Sequence, residues 1–161
     1  MLCHYQIKEL DIADLQTALH LVWEVFLEFE APEYSTEGVQ EFKNFIRYQS
    51  IKEKLLRSEL HMWGGLIDSK LVGVIAATSP CHICLLFVDK AHHRQGIAGA
   101  LFKRMLDYYK TSGGCSAITV TSSPYAVGAY QRLGFIATDS EQTVNGIRFI
   151  PMKRLVSFPS A

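Results

Sequence analysis

The chain has 161 residues, 48% of them apolar and 20% charged, which suits one domain, residues 1–161, with a sizeable core. Its 16 Lys and Arg balance its 16 Asp and Glu, so no global charge draws it to nucleic acid or to a membrane surface. No apolar run reaches the length of a membrane span, and Met1-Leu2-Cys3-His4 does not begin a signal peptide, so a cytoplasmic location is expected.

Residues 5–9 read as a short first strand. Asp11 is a good N-cap for a helix over 12–29, where Ile12, Leu15, Leu19, Val22, Phe26 and Phe29 recur at helical spacing. Ala31-Pro32-Glu33-Tyr34-Ser35 ends it. A second helix covers 36–47 with Val39, Phe42, Phe45 and Ile46 on one side, and a third covers 50–58. Residues 60–67 and 71–78 read as strands joined at Asp68-Ser69-Lys70. Residues 83–88 are nearly all apolar, as in a strand buried on both faces. A helix over 96–111 carries the stripe Ile97, Leu101, Met105, Leu106, Tyr109 and ends at Gly113-Gly114. Residues 117–121 form a β-branched strand, and Ser123-Pro124 opens a helix that carries Tyr130 and ends at Gly134. Residues 144–155 alternate as a terminal hairpin around Asn145-Gly146. This order gives a mixed α/β sheet flanked by helices.

The cysteines are Cys3, Cys81, Cys84 and Cys115. A chain with a full core does not need disulfides. Cys81-His82-Ile83-Cys84 has the spacing of two thiolate ligands, but no second Cys/His pair follows, and the segment runs on into a strand where Cys acts as a small apolar residue. No metal is expected. No Cys–His partnership marks a thiol nucleophile either.

The segment with most chemical content is the strand-to-helix turn 88–99. Gly96, Ala98 and Gly99 remove bulk at a helix N-terminus, where unpaired N–H groups carry partial positive charge. His92, His93 and Arg94 add charge beside it. The combination is a site for phosphate or pyrophosphate. It is neither G-x-G-x-x-G nor a P-loop.

The stretch His93-Arg94-Gln95-Gly96-Ile97-Ala98 resembles the acyl-CoA signature of the GCN5-related N-acetyltransferases, the GNAT superfamily, with His93 standing where Gln or Arg is usual. A second segment, residues 126–135, is similar to the later helix of that family, with Tyr130 shortly before Leu133-Gly134-Phe135. Ser123 stands where family members usually carry Asn. The resemblance implies the GNAT fold, a central and mostly antiparallel mixed sheet flanked by helices. It implies acetyl-CoA as co-substrate, held by Phe87, Val88, His93, Arg94, Gln95, Gly96, Ile97, Ala98, Gly99, Ser123 and Tyr130. Two strands, ending at Phe87-Val88 and Val120-Thr121, are then expected to splay around pantetheine in a ligand version of strand addition. An amine attacks the thioester directly.

In that reading the Val88 N–H faces the developing oxyanion, and Tyr130 gives a proton to the leaving thiolate. Tyr125 competes for that role, and Tyr130 as a satisfied core aromatic is the plainer alternative. Many family members place an acid on the strand before the turn, but residues 83–88 contain none. A relayed water, Glu28, Glu30, Glu33, His61 or His82 are open alternatives for the base. The resemblance implies an acceptor groove on residues 29–42 and 144–149, where Phe29, Tyr34, Phe42 and Phe149 could build an aromatic pocket and Glu30, Glu33 and Glu37 attract a cationic amine. The favoured reading is an N-acetyltransferase acting on a small amine. A protein lysine or N-terminal acetyltransferase and a non-catalytic acyl-CoA-binding module are the alternatives. A homodimer is compatible with the sequence, which does not require one.

Overall fold

The computed structural model describes residues 4–79 and 81–156; the readings made on Met1, Leu2 and Cys3 lie outside them. The elements are β1 (Gln6–Glu9), α1 (Ile12–Phe29), α2 (Thr36–Phe45), α3 (Tyr48–Leu56), β2 (Leu60–Ile67), β3 (Lys70–Thr78), β4 (His82–Val88), α4 (Ile97–Thr111), β5 (Ala117–Ser122), α5 (Val127–Arg132), β6 (Ile136–Ala137), β7 (Gln142–Val144) and β8 (Ile147–Leu155). Local chemistry sets their ends. Asp11 accepts from the Ala13 N–H at 2.9 Å and Asp14 accepts from the Asp11 N–H at 3.1 Å, which satisfies donors that the first turn of α1 leaves open. Ser35 caps α2 by accepting from the Gly38 N–H at 3.2 Å. Both tight hairpins turn on residues with positive φ, Asp68 and Ser69 at 50° and 65°, Asn145 and Gly146 at 52° and 79°. That geometry matches the twist of the strands they join.

The sheet runs β1-β2-β3-β4-β5-β8-β6, with β7 paired to β8. Its neighbours are antiparallel except β4 and β5. Helix α1 covers one face, burying Leu15, Val22 and Phe26 with Val74, Ala76 and Leu85. Helix α4 covers the other, burying Ile97, Leu101 and Met105 with Ile75, Ile83 and Ile118. This is the mixed, helix-flanked sheet that the order of elements implied. Of the expected α1 stripe, Ile12 and Phe29 stay only partly buried.

One irregularity positions the site. Ala76 pairs with Leu85 and Ala77 with Ile83, so Cys84 is an extra residue in β4. Such a bulge bends its strand and ends regular pairing. Accordingly β4 and β5 pair only at His82↔Thr119 and Ile83↔Val120. Their first ends are tied firmly. The Thr119 N–H donates to the Cys81 carbonyl at 3.1 Å, and His82 Nδ1 lies 2.8 Å from Thr119 Oγ1. A disulfide joins Cys81 to Cys115, with Cα atoms 6.6 Å apart. This corrects the expectation that the cysteines need no bridge. The partner comes from a strand 34 residues away, brought alongside by sheet order, which local spacing cannot reveal. It also removes the Cys81/Cys84 pair as a ligand set, because Cys84 instead donates weakly to the Ala76 carbonyl at 3.5 Å.

The terminal hairpin is held against α2 by a contact between glycines. A Cβ on Gly38 would overlap the Gly146 carbonyl, and one on Gly146 would overlap Ser35 Oγ and the Gly38 nitrogen. Replacing Gly by Ala inside a helix ordinarily stabilises it. Gly38→Ala is expected to do the reverse, lowering stability by about 1–3 kcal/mol through overpacking. Thermal unfolding of the variant checks the sign.

Candidate active site

Past Ile83 and Val120 the two strands part, and a cavity of about 360 Å³ opens beside the gap. Phe42 and Phe45 of α2, Tyr34, Phe87 and Ile147 give it aromatic and aliphatic walls. Phe42 stacks on Phe26 at 4.0 Å and leans on Phe87 at 5.9 Å, so the wall is braced from the core. Glu30, Glu41 and His82 are the acidic and imidazole groups in the lining; no Lys or Arg is among the lining residues. Burial lowers the pKa of His82, which favours its neutral form.

Strand register shows where free backbone points. The Asp89 N–H donates to the Val72 carbonyl at 2.8 Å, which makes Asp89 and Val72 a bonded pair. Val88↔Gly73 and Leu86↔Ile75 are then the alternate, unbonded pairs of the ladder. The N–H groups of Leu86 and Val88 therefore face away from β3, into the gap toward β5. Leu86 lines the cavity and Val88 stands nearer the turn. The Val88 carbonyl already accepts a 2.7 Å bond from His93 Nε2–H.

The turn has the expected form. Gly96 caps α4 with φ of 81°, and no side chain fills the cap. The first bond into the helix is from the Ala100 N–H to the Gly96 carbonyl, 3.0 Å, so the N–H groups of Ile97, Ala98 and Gly99 precede it. A Cβ on Gly96 or Gly99 would meet nothing within 4 Å. The open space and the helix N-terminus together fit a pyrophosphate. The Ile97 side chain is in the core, so only its backbone serves the turn. Arg94 has φ of 63° and, like Gln95, is exposed. Phe29 lies between His93, at 5.2 Å, and Tyr125, at 5.1 Å, an aromatic bridge from α1 to the turn and to the start of α5.

At the inner end Tyr130 is only 6% exposed and packs edge-on against Phe135 at 5.5 Å, while also lining the cavity. Burial, then the charge of Glu30, pushes its pKa well above the ordinary phenol value, so it remains a donor. Tyr125 is 50% exposed and outside the lining. Ser123 accepts from the Ala126 N–H at 3.2 Å and donates its own proton to Glu30 Oε1 at 2.7 Å. Burial raises the Glu30 carboxyl from 4.5 to about 7, against the opposing bond from Ser123. The Cys84 thiol is pushed up to about 12 by burial, which leaves it inert as a nucleophile.

Phe87, Val88, Ser123 and Tyr130 meet around the gap, and His93 to Gly99 form the turn at its mouth. Phe29, Phe149, Glu33 and Glu37 are absent from the lining, where Phe45, Phe87 and Glu41 stand instead. Glu28 pairs with Lys90 at 2.8 Å on the surface. Sequence spacing missed Leu86, because only the ladder register tells which apolar residues turn their N–H groups outward.

Residues 30–156 match the family model described as an acetyltransferase (GNAT) domain, so the chain belongs to the GNAT acetyltransferase family. Enzymes of this family are acyltransferases that draw on acetyl-CoA. Among curated proteins, YafP of Escherichia coli K12, described as an uncharacterized N-acetyltransferase, is 36% identical over 84 residues, 52% of this chain and 50% of that protein. The chain thus spans about half the length of the curated relative it matches. The fold is that of the PaiA N-acetyltransferase from Thermoplasma acidophilum, solved in complex with coenzyme A, with a TM-score of 0.80 at 18% identity over 95% of this chain and 99% of that one. A GCN5-related N-acetyltransferase from Rhodopseudomonas palustris gives 0.79 at 17% identity over 97% and 98%.

The raised Glu30 carboxyl has a consequence for stability. Below pH 4.5 it is protonated in both folded and unfolded chains; between 4.5 and about 7 only the fold keeps the proton. The fold binds more protons there, so this group makes stability fall as pH rises through that window, with its full penalty above it. Glu30→Gln is neutral throughout and can still accept from Ser123. Its melting temperature is expected to gain on wild type as pH rises from 4.5 to 7 and to hold that gain above it. Paired thermal melts at several pH values check this.

Proposed function

We propose that the chain is an acetyl-CoA-dependent N-acetyltransferase whose acceptor is the primary amine of a small, cationic molecule. The observation that carries the choice of acceptor is the modest cavity of about 360 Å³, bordered by α2 and by a hairpin seated on Gly38. A small amine fills such a space, whereas a lysine or N-terminus on a protein surface needs an open groove. The lining offers carboxylates and aromatic faces to a cation and sets no Lys or Arg against it. Polyamines, amino acids and amino sugars share the required chemistry.

In this reading the pyrophosphate rests on the turn from Arg94 to Gly99, and pantetheine lies between β4 and β5. The Leu86 N–H, inside the cavity, stabilises charge on the thioester oxygen, and the Val88 N–H pairs with a pantetheine amide nearer the mouth. Tyr130, whose hydroxyl makes no hydrogen bond among the described residues, gives its proton to the departing thiolate.

Free-thiol release from acetyl-CoA, measured over polyamines, amino acids, aminoglycosides and lysine peptides, tests the proposal. Release is expected with one small-amine class. Tyr130→Phe is expected to lower kcat by about 10²-fold or more with little change in acetyl-CoA affinity. Release with lysine peptides alone would overturn the small acceptor; acetyl-CoA binding without release, unchanged by Tyr130→Phe, would favour the non-catalytic module. Gly99→Asp, whose side chain points into open space and suits a helix N-terminus, should leave the fold intact and cut coenzyme A affinity at least about tenfold by placing like charge at the pyrophosphate. Calorimetric titration reads that affinity.

A further inference from the structure

We infer that Glu30 is the general base of the transfer and that Ser123 is its positioning residue. This rests on the transferase reading above and names the one role that β4, with no acid along its length, leaves empty.

The acids near the site are separated by their surroundings. Glu28 is on the surface and engaged with Lys90. Glu33 lies outside the cavity lining, and its backbone carbonyl accepts from Arg148 Nη1 at 3.4 Å. Glu41 lines the cavity but is exposed on α2. Glu30 lines the cavity from the end of α1, is fixed by the 2.7 Å bond from Ser123, and shares the cavity with Tyr130. Ser123 is itself 6% exposed and held by the Ala126 N–H, so the carboxylate is aimed by the first turn leading into α5. The turn that leads into the helix carrying Tyr130 also orients the base.

The step balances as follows. The acceptor ammonium gives one proton to a Glu30 oxygen. The freed nitrogen pair forms the C–N bond while the carbonyl π pair moves to oxygen. Its return breaks the C–S bond, and the thiolate takes the Tyr130 proton. The second proton on nitrogen restores the phenol. Amide and thiol leave neutral, and Glu30 passes one proton to solvent.

The groups around Glu30 set its titration. Burial raises it most, the bond from Ser123 lowers it, and Glu33 raises it, for a result of about 7. Tyr34 and Tyr130 face it as phenols held neutral, in part by its charge. Arg148, on β8, is tied to Glu141 at 3.1 Å and bears on Tyr34 and Glu33. Glu41, His82 and Cys84 line the same cavity from α2 and β4. A base with pKa near the working pH is where proton transfer is most effective.

The test is the pH profile of kcat/KM for the best amine of the panel, with thermal melts and acetyl-CoA titrations confirming folded, ligand-binding variants. Wild type is expected to show an ascending limb near pH 7, separate from the limb of the amine itself. Glu30→Gln should lose the lower limb and about 10²- to 10⁴-fold of kcat/KM at pH 8. Glu30→Asp should restore part of both. Ser123→Ala should move the limb to higher pH, because it removes a bond to the ionised form. Glu28→Gln should match wild type. A folded Glu30→Gln that keeps the wild-type rate and limb overturns Glu30 alone. Acetyl-CoA binding with silence toward every amine overturns the transferase reading and this one with it.

Discussion

Everything in the site depends on two adjacent parallel strands being joined at one end and apart at the other. The bulge at Cys84 bends β4 away from β5 after two paired residues. The joined end is reinforced by the Cys81–Cys115 bridge and by the bond from Thr119 to Cys81. A sheet normally pairs the N–H groups of every inner strand. Here those of Leu86 and Val88 face an open gap in the middle of the sheet. A sheet interior with free donors invites an extended, amide-bearing ligand, and pantetheine is one. The turn at the end of the same strand adds an open helix N-terminus, which suits the charged end of such a ligand. Strand, gap and turn are therefore one device, made by a single inserted residue.

The second organising force is the dehydration of a carboxylate. Glu30 sits at the end of an amphipathic helix, where a charged residue would ordinarily reach water. Here it instead lines a cavity whose other walls include Phe42 and Tyr34, with the turn Ala31–Glu33 following directly. Ser123 supplies one hydrogen bond, not enough to offset the lost water, and the carboxyl holds its proton up to neutral pH. The same dehydration acts on Tyr130 in the same direction. One group becomes a carboxyl that titrates near neutrality and the other a phenol that stays protonated, two opposite proton habits from one cause.

Much of this was legible in the chain. Apolar periodicity and caps such as Asp11 and Ser35 act locally, so the helices and both hairpins could be read at their places. The turn 93–99 carried its own signature, because small residues at a helix start have a local reason. What could not be read were facts of pairing. Nothing near Cys81 speaks of Cys115, and nothing in an unbroken apolar strand marks Cys84 as the bulged residue or Leu86 as one whose N–H is free. Glu30 stood beside Glu28 and Glu33 as an equal; only the tertiary surroundings, with Ser123 brought to it from 93 residues away, separate a buried carboxylate from a surface one. Phe29 illustrates the same limit. Its spacing extended the buried stripe of α1, yet its ring serves as a bridge between His93 and Tyr125.

The contact between Gly38 and Gly146 has an evolutionary side. The first turn of α2 and the tip of the β7–β8 hairpin approach so closely that neither can gain a single carbon without moving the other. The hairpin, in turn, brings Ile147 into the cavity wall. Any inherited change at either glycine must therefore shift the hairpin against α2, and with it the part of the cavity wall that Ile147 supplies.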